Sequence, residues 1–214
     1  MANFSFEQPS KEYQAYLFDC DGTLIHSMPV HYQAWLKALA PFGADQHFTE
    51  DLFYRLGGVA TREIVAKLNK AHQLEMDPDQ ITITKENHYI ELLESVEIIE
   101  SVVEFARKHH THIPMAIVTG GSRHVIERSL AISGLSHLFD HVVTPADVRE
   151  GKPAPDMFLK AAQLCHADPK ECLVFEDGIN GIKGAQRAGM DFVFIPSQPV
   201  HVVDGITEEV KALS

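Results

Sequence analysis

The sequence is poor in cysteine and has no long apolar segment. Its 214 residues include three cysteines, Cys20, Cys165 and Cys172, and no CxxC pair, which argues against a disulfide framework or a structural zinc site. No apolar run approaches the about 20 residues that a membrane helix needs. Residues 1–14 also lack the basic and apolar regions of a secretory signal. These absences predict a cytoplasmic protein.

Basic residues are scarce as well. The chain has 18 Lys and Arg against 30 Asp and Glu, which gives a net charge of −12 with neutral histidines. Such a surface repels the phosphates of nucleic acids and of anionic lipids, so neither a nucleic acid nor a membrane is expected as a partner. An anionic substrate would therefore need a site with its own local positive charge. Nothing in the sequence marks an interface, so the oligomeric state stays open.

Short apolar runs indicate the fold class. The composition, with 45% hydrophobic and 22% charged residues, is that of a globular protein with a sizeable core. Five runs of strand length are apolar on both faces, as in a parallel sheet that helices cover on both sides. They lie at residues 16–18, 115–118, 142–143, 173–175 and 192–195. Helical patterns separate the later runs, so the sequence predicts an α/β protein with a doubly wound parallel-sheet, Rossmann-like core.

The interval after the first run has a different pattern. Apolar residues recur there at helical spacing behind Pro29 and Thr61. We therefore predict an all-helical cap at residues 29–95, inserted after the first strand and lying over the edge of the sheet. Residues 1–28 and 96–214 would form the α/β core domain.

Capping signals mark two helix starts in the core. Ser122 is a good N-cap for the helix that follows the second strand. Ser101 and Glu104 fit a capping box at the start of the helix that leads back to the sheet. The stretch from Pro196 onward is weakly patterned and is expected to be peripheral.

Chemically versatile side chains follow four of the predicted strands. They are Asp19 and Asp21 after the first strand, Thr119 and Gly120 after the second, Lys152 in the loop after the third, and Glu176 and Asp177 after the fourth. In open α/β sheets, ligands bind at the carboxyl ends of the strands. We therefore expect these four stretches to meet at one rim of the sheet.

The residue types at this rim suit phosphoryl transfer. Gathered carboxylates repel, because two unit charges 4 Å apart cost about 4 kcal/mol at an effective dielectric of 20. A hard divalent cation such as Mg²⁺, which binds carboxylates and a substrate phosphate, would offset that repulsion. Lys152 would add a positive point charge. Thr119 and the backbone N–H groups after it, beginning with that of Gly120, would cradle an anion at a helix N-terminus, so the expected partner is a small phosphorylated metabolite.

The order of these residues resembles the four motifs of the haloacid dehalogenase superfamily. The motifs are Asp19-x-Asp21-Gly22-Thr23, then Thr119, then Lys152, then Glu176-Asp177. The helical insertion is similar to the small cap of the β-phosphoglucomutase-like and sugar-phosphatase members. The resemblance covers about residues 13–196 and implies a doubly wound parallel-sheet core.

The resemblance also implies a role for each motif residue. Asp19 would be the nucleophile that forms an aspartyl-phosphate, and Asp21 would be the general acid and base. Mg²⁺ would be held by Asp19, the backbone carbonyl of Asp21 and Asp177, with Glu176 as an additional ligand. The transferring phosphoryl group would be held by Thr119 and Lys152.

Asp21 separates the possible activities. Dehalogenases of this fold lack the second aspartate of the first motif, and phosphoryl transfer needs it to protonate the leaving group and to activate water. The expected function is a Mg²⁺-dependent phosphatase that hydrolyses a small phosphate monoester, such as a sugar phosphate. A phosphomutase is the alternative, and a non-catalytic metal- or phosphate-binding module is a third hypothesis.

The cap gives weaker signals. His31 falls where β-phosphoglucomutase-like proteins have a functional histidine, and otherwise it is a polar position on the first cap helix. Arg62 is either a contact for a distal substrate group or a solvated arginine near a helix start. The sequence departs from its relatives at His26, where they often carry aspartate, and at residues 100–101, where they often carry Pro-Gly. Cap dynamics and substrate choice therefore stay open.

Overall fold

A five-stranded parallel sheet forms the centre of the protein. The computed structural model describes Phe6, Pro9, residues 11–196 and residues 200–213. The strands are β1 (Ala15–Phe18), β2 (Met115–Val118), β3 (His141–Val143), β4 (Cys172–Glu176) and β5 (Asp191–Phe194). Their order across the sheet is β3-β2-β1-β4-β5, and every hydrogen-bonded pair is parallel. The predicted α/β fold with a parallel sheet is confirmed.

Within the described residues, nine α-helices accompany the sheet. They are α1 (Met28–Leu39), α2 (Glu50–Arg55), α3 (Thr61–His72), α4 (Pro78–Leu92), α5 (Glu100–His109), α6 (Arg123–Ile132), α7 (Asp156–Leu164), α8 (Ile179–Arg187) and α9 (Val200–Leu213). We refer to α1–α4, which lie between β1 and α5 in the chain, as the helical insertion. Its status as a separate cap domain at residues 29–95 stays a prediction. None of the described helices combines the length and the apolar character that crossing a membrane requires.

Position in the sheet decides how deeply each strand is buried. Every residue of β1, β2 and β4 is buried, whereas the edge strands β3 and β5 are only partly covered. Alternation along β1 places Tyr16 and Phe18 in one apolar cluster with Phe105 of α5, and Leu17 in another with Phe158 of α7. Helices therefore cover both faces of the sheet, as the uniformly apolar strands predict.

The helical insertion is packed against the sheet core. Trp35 of α1 and Val65 of α3 belong to the same apolar cluster as Ile182 of α8 and Ile206 of α9. Helix α4 lies against both α1 and α3. These contacts pack the helices of the insertion against the core, beside the site described below.

The capping signals are only partly correct. Helix α5 begins at Glu100 with Ile99 as its N-cap, so Ser101 lies in the first turn and the predicted capping box with Glu104 is wrong. The Ser101 hydroxyl is buried and has no hydrogen-bond partner among the described residues. Ser122 is the N-cap of α6, as predicted, but its side chain does not cap the helix.

The C-terminal segment is more regular than its sequence pattern indicates. Residues 200–213 form α9, in which Val202 and Ile206 lie four positions apart and are both buried. Residues four apart share one face of a helix, so this spacing docks α9 on α8.

Candidate active site

The end of β1 brings Asp19 next to the end of β4. The two strands pair with Phe18 opposite Phe175, and the Asp19 N–H continues the ladder by donating to the Phe175 carbonyl at 3.0 Å. Gly22 follows with a φ of +86°, and a Cβ there would lie 2.7 Å from the carboxyl carbon of Asp177. Glycine is therefore needed for this turn, both for its backbone conformation and for the close approach of Asp177.

Three buried carboxylates form a cluster at this rim. Ligand atoms of Asp19, Glu176 and Asp177 all lie within 4.8 Å of one another. The Thr23 hydroxyl donates to Asp177 Oδ1 at 3.1 Å. Burial raises the pKa of Asp19 well above its usual range; Glu176 and Asp177 raise it further, while Lys152 opposes the shift. The cluster gathers three carboxylates in one buried place, and its oxygen donors fit a hard divalent cation.

Lys152 is the cation of this cluster. Its Nζ donates to Asp19 Oδ1 and to Glu176 Oε1, each at 2.6 Å, and its side chain is fully buried. Burial by itself would lower the pKa of Lys152, but the carboxylates of Asp19 and Glu176 raise it above its ordinary value. The ammonium therefore stays protonated beside the two carboxylates.

The loop after β2 forms the next part of the rim. The Gly121 N–H donates to Thr119 Oγ1 at 3.1 Å, just before the N-terminus of α6. A Cβ on Gly120 would lie 2.8 Å from the carbonyl carbon of Gly58 in the insertion. Gly120 thus lets the sheet rim and the insertion touch at the mouth of the site.

Asp21 is held by two side chains near the start of the insertion. Its Oδ1 accepts hydrogen bonds from Ser27 Oγ at 2.5 Å and from His31 Nε2 at 2.9 Å. Burial by itself would raise the pKa of Asp21, but His31, Ser27 and Lys85 lower it to about 2. Asp21 is therefore ionised in this arrangement.

His31 lies at the site, where the resemblance places a histidine. Its ring stacks on Tyr89 with centroids 3.8 Å apart. Burial, together with the nearby Lys85 ammonium, lowers the pKa of His31 although Asp21 opposes the shift. A neutral ring that donates from Nε2 to Asp21 leaves Nδ1 unprotonated, and Nδ1 is buried without a hydrogen-bond partner in the described part of the chain.

One cavity connects the rim with the insertion. Its polar lining includes Asp19, Asp21, His31, Thr119, Gly120, Glu176 and Asp177. Its apolar lining includes Met28, Trp35, Phe53, Leu56, Val59 and Ile64. Lys152 lies behind the carboxylates that line it. The structure thus brings together every candidate residue but one.

Arg62 is the exception. Its side chain is 67% exposed and forms an ion pair with Asp79 Oδ1 at 2.7 Å. It lies on an outer cleft, together with Arg123, that shares the Gly120 loop with the cavity. The geometry therefore gives no support to a contact between Arg62 and a substrate inside the cavity.

Lys85 and Glu86 are site residues that the sequence analysis missed. Both are buried on α4 and line the cavity. Ile81, Lys85 and Tyr89 are spaced four apart, and all three are buried. A lysine in the middle of an apolar helical stripe is the signal that could have identified this pair.

Comparisons with known proteins identify the family of this chain. The haloacid dehalogenase-like hydrolase family matches residues 13–189. The fructose-1-phosphate phosphatase YqaB of Escherichia coli (strain K12) is 36% identical over 184 residues, which cover 86% of this chain and 96% of that protein. The pyrophosphatase PpaX of Bacillus cereus (strain Q1) is 33% identical over 176 residues, which cover 81% and 78%. A β-phosphoglucomutase structure from Clostridium difficile has a TM-score of 0.73, with 21% identity and coverage of 94% and 99%.

Fold, site and relatives define an enzyme of the phosphatase or phosphomutase class. The chain belongs to the haloacid dehalogenase-like hydrolases, because the family match spans most of its length. The expected family and enzyme class are confirmed. The likeness to the β-phosphoglucomutase, at 21% identity, shows the fold alone.

Proposed function

We propose that this protein is a Mg²⁺-dependent phosphatase for a small phosphate monoester, a sugar phosphate, and that it acts through an aspartyl-phosphate on Asp19. One observation carries the proposal: the buried Asp19 carboxylate contacts the Lys152 ammonium at 2.6 Å and opens into a cavity that Asp21 also lines. A nucleophile in contact with a fixed positive charge and a second carboxylate thus line one space. The 36% identity with a fructose-1-phosphate phosphatase supports a sugar phosphate as the substrate.

The carboxylate cluster is the proposed metal site. Asp19, Asp177 and the backbone carbonyl of Asp21 would hold Mg²⁺, with Glu176 as an additional ligand. Few oxygen donors and a place for substrate phosphate are what Mg²⁺ requires. The bound ion would screen the negative charge of the phosphate as the carboxylate approaches it.

The residues of this chain divide the reaction between them. Lys152, Thr119 and the N–H of Gly120 would bind the phosphoryl oxygens. The Asp19 carboxylate would attack phosphorus, forming the Asp19–phosphate bond while the bond to the leaving oxygen breaks. Asp21 would give the leaving oxygen a proton.

Asp21 would then complete the cycle. It would take a proton from water, which attacks phosphorus and frees both phosphate and Asp19. Because Asp21 is ionised in the arrangement described, it already suits this second step, and it must gain a proton before the first. Its hydrogen bonds to His31 and Ser27 fix which oxygen is available.

We further propose that residues 29–95 act as a cap. The insertion supplies the apolar wall of the cavity, and the Gly58–Gly120 contact brings it against the rim. Covering the site would exclude bulk water during phosphoryl transfer, and opening would release the product.

A phosphomutase is the second candidate. The observation that favours it is that the helical insertion lines the cavity. A mutase must shield its phosphoenzyme from water, and an insertion in this position could do so. The lifetime of the phosphoenzyme separates the two: hydrolysis within one turnover supports the phosphatase, whereas persistence until a sugar phosphate is added supports the mutase.

The test of the phosphatase is hydrolysis of a sugar-phosphate panel with and without Mg²⁺. We expect Asp19→Asn to reduce kcat by about 10⁴-fold or more, because an amide cannot replace the nucleophile, and chelation to abolish turnover of the wild type. Asp204→Asn, an exposed change on α9, is the matched control and should hydrolyse the panel like the wild type. Undiminished turnover in Asp19→Asn would contradict the proposal.

A further inference from the structure

Three charged residues line the cavity in addition to the carboxylate cluster. Asp21, Lys85 and Glu86 all line it, and Lys85 and Glu86 are only 8% and 7% exposed. Among the described residues that line the cavity, Lys85 is the single lysine or arginine. Lys152 lies behind the proposed metal-binding carboxylates and is not among the lining residues. Outside the carboxylate cluster, the cavity is therefore lined by two carboxylates and one ammonium.

The direct contacts of Glu86 are with a neutral hydroxyl and an exposed histidine. Ser122 Oγ donates a short hydrogen bond to Glu86 Oε1, and this donor is neutral. His124 Nε2 lies 3.5 Å from Oε2, but its side chain is 66% exposed. In the described part of the chain, Lys85 forms no direct ion pair with a carboxylate. Glu86 therefore presents acceptor oxygens to the cavity as well as a charge.

We propose that Glu86 is a specificity-determining residue: it accepts hydrogen bonds from an uncharged, hydroxyl-bearing leaving group and repels a leaving group that carries a second phosphate. This inference rests on the proposed phosphatase function. A sugar hydroxyl can donate to the carboxylate, whereas a second phosphate would meet like charge in a buried space, where charges are weakly screened.

The arginines outside the cavity do not change this balance. Arg62 pairs with Asp79 and Arg123 with Asp147, each at 2.7 Å. A second phosphate in the outer cleft would have to compete with these carboxylates. The Glu86–Ser122 hydrogen bond also lies between the cavity and that cleft, because Ser122 lines both.

The experiment compares fructose 1-phosphate with fructose 1,6-bisphosphate by kcat/KM. We expect the wild type to prefer the monophosphate, and Glu86→Gln to reduce that preference by about tenfold, which corresponds to about 1.4 kcal/mol. Glutamine can still accept the Ser122 hydrogen bond, so this variant removes the charge and keeps the contact. Glu91→Gln is the matched control, since it makes the same change on an exposed face of α4, and it should keep the wild-type ratio.

Two further variants separate charge from structure. Glu86→Asp keeps the negative charge and should keep the preference for the monophosphate. Ser122→Ala removes the hydrogen bond to Glu86 and should also keep that preference. If Glu86→Gln kept the wild-type ratio of kcat/KM between the two substrates, the inference would be overturned. It would also be overturned if Ser122→Ala reduced that ratio as much as Glu86→Gln does. Neither result would contradict the proposed phosphatase function. A wild type that prefers the bisphosphate would overturn it even if Glu86→Gln failed to fold. A wild type that hydrolyses no phosphate ester would overturn the proposed function, and this inference with it.

Discussion

The cavity has two walls of different chemistry. On the sheet rim, the buried charges of Asp19, Lys152 and Glu176 contact one another directly at 2.6 Å. On the helical insertion, Lys85 and Glu86 lie among apolar side chains, and no direct contact joins them to those charges in the described structure. The charges of the rim therefore depend on one another, whereas a residue of the insertion can be replaced without breaking those contacts. Such a division suits chemistry on the rim and substrate selection on the insertion.

Replacing Lys152 should have the largest effect, because the rim depends on contacts between its charges. Lys152→Met leaves the Asp19 and Glu176 carboxylates buried without their cation, so we expect the free energy of unfolding to fall by about 3–5 kcal/mol. Turnover should fall by about 10³-fold, since the phosphoryl group loses its fixed charge. Urea unfolding and sugar-phosphate hydrolysis measure the two losses.

The control for this change is Lys70→Met, on an exposed face of α3, which should match the wild type in both measurements. Added Mg²⁺ should recover part of the stability of Lys152→Met, because a cation bound only by the folded state raises its stability. A Lys152→Met protein as stable as the wild type would show that the rim charges do not support one another.

The rim could be predicted from the sequence because topology decides it. Parallel strands end on the same edge of the sheet, so Asp19, Thr119 and Glu176 had to meet once their runs were identified as strands. The family resemblance then supplied the roles of Asp21 and Lys152. Only the arrangement of the carboxylates around the Lys152 ammonium could not be predicted without the three-dimensional structure.

The insertion could not be predicted in the same way. Which face of α4 reaches the cavity depends on how that helix docks, and neither Lys85 nor Glu86 belongs to a motif. Ser122 shows the limit clearly: its position as an N-cap was predictable, but its side chain donates a hydrogen bond to Glu86 of α4. A tertiary contact overrode the local signal there.

Replacing His31 tests whether the insertion also contributes to chemistry. His31→Phe keeps a ring to stack on Tyr89 but removes the donor to Asp21, so we expect kcat/KM to fall by about 10- to 100-fold, the usual value of a hydrogen bond to a charged group. His31→Gln restores a donor and should recover part of the loss. Both variants should unfold at similar urea concentrations. If His31→Phe were as active as the wild type, the chemistry would be confined to the rim.

Replacing Arg62 should have the smallest effect. Its side chain is 67% exposed and pairs with Asp79 on the surface, and exposed ion pairs contribute about 0–1 kcal/mol. We therefore expect Arg62→Ala to change kcat/KM for a sugar phosphate by about twofold or less, a change that Arg55→Ala, another exposed arginine in an ion pair, should match. A tenfold rise in KM for Arg62→Ala alone would mean that the insertion moves on substrate binding and brings this arginine to the substrate. The outer cleft would then belong to the site, and the expectation that Arg62 reaches a distal substrate group would be correct.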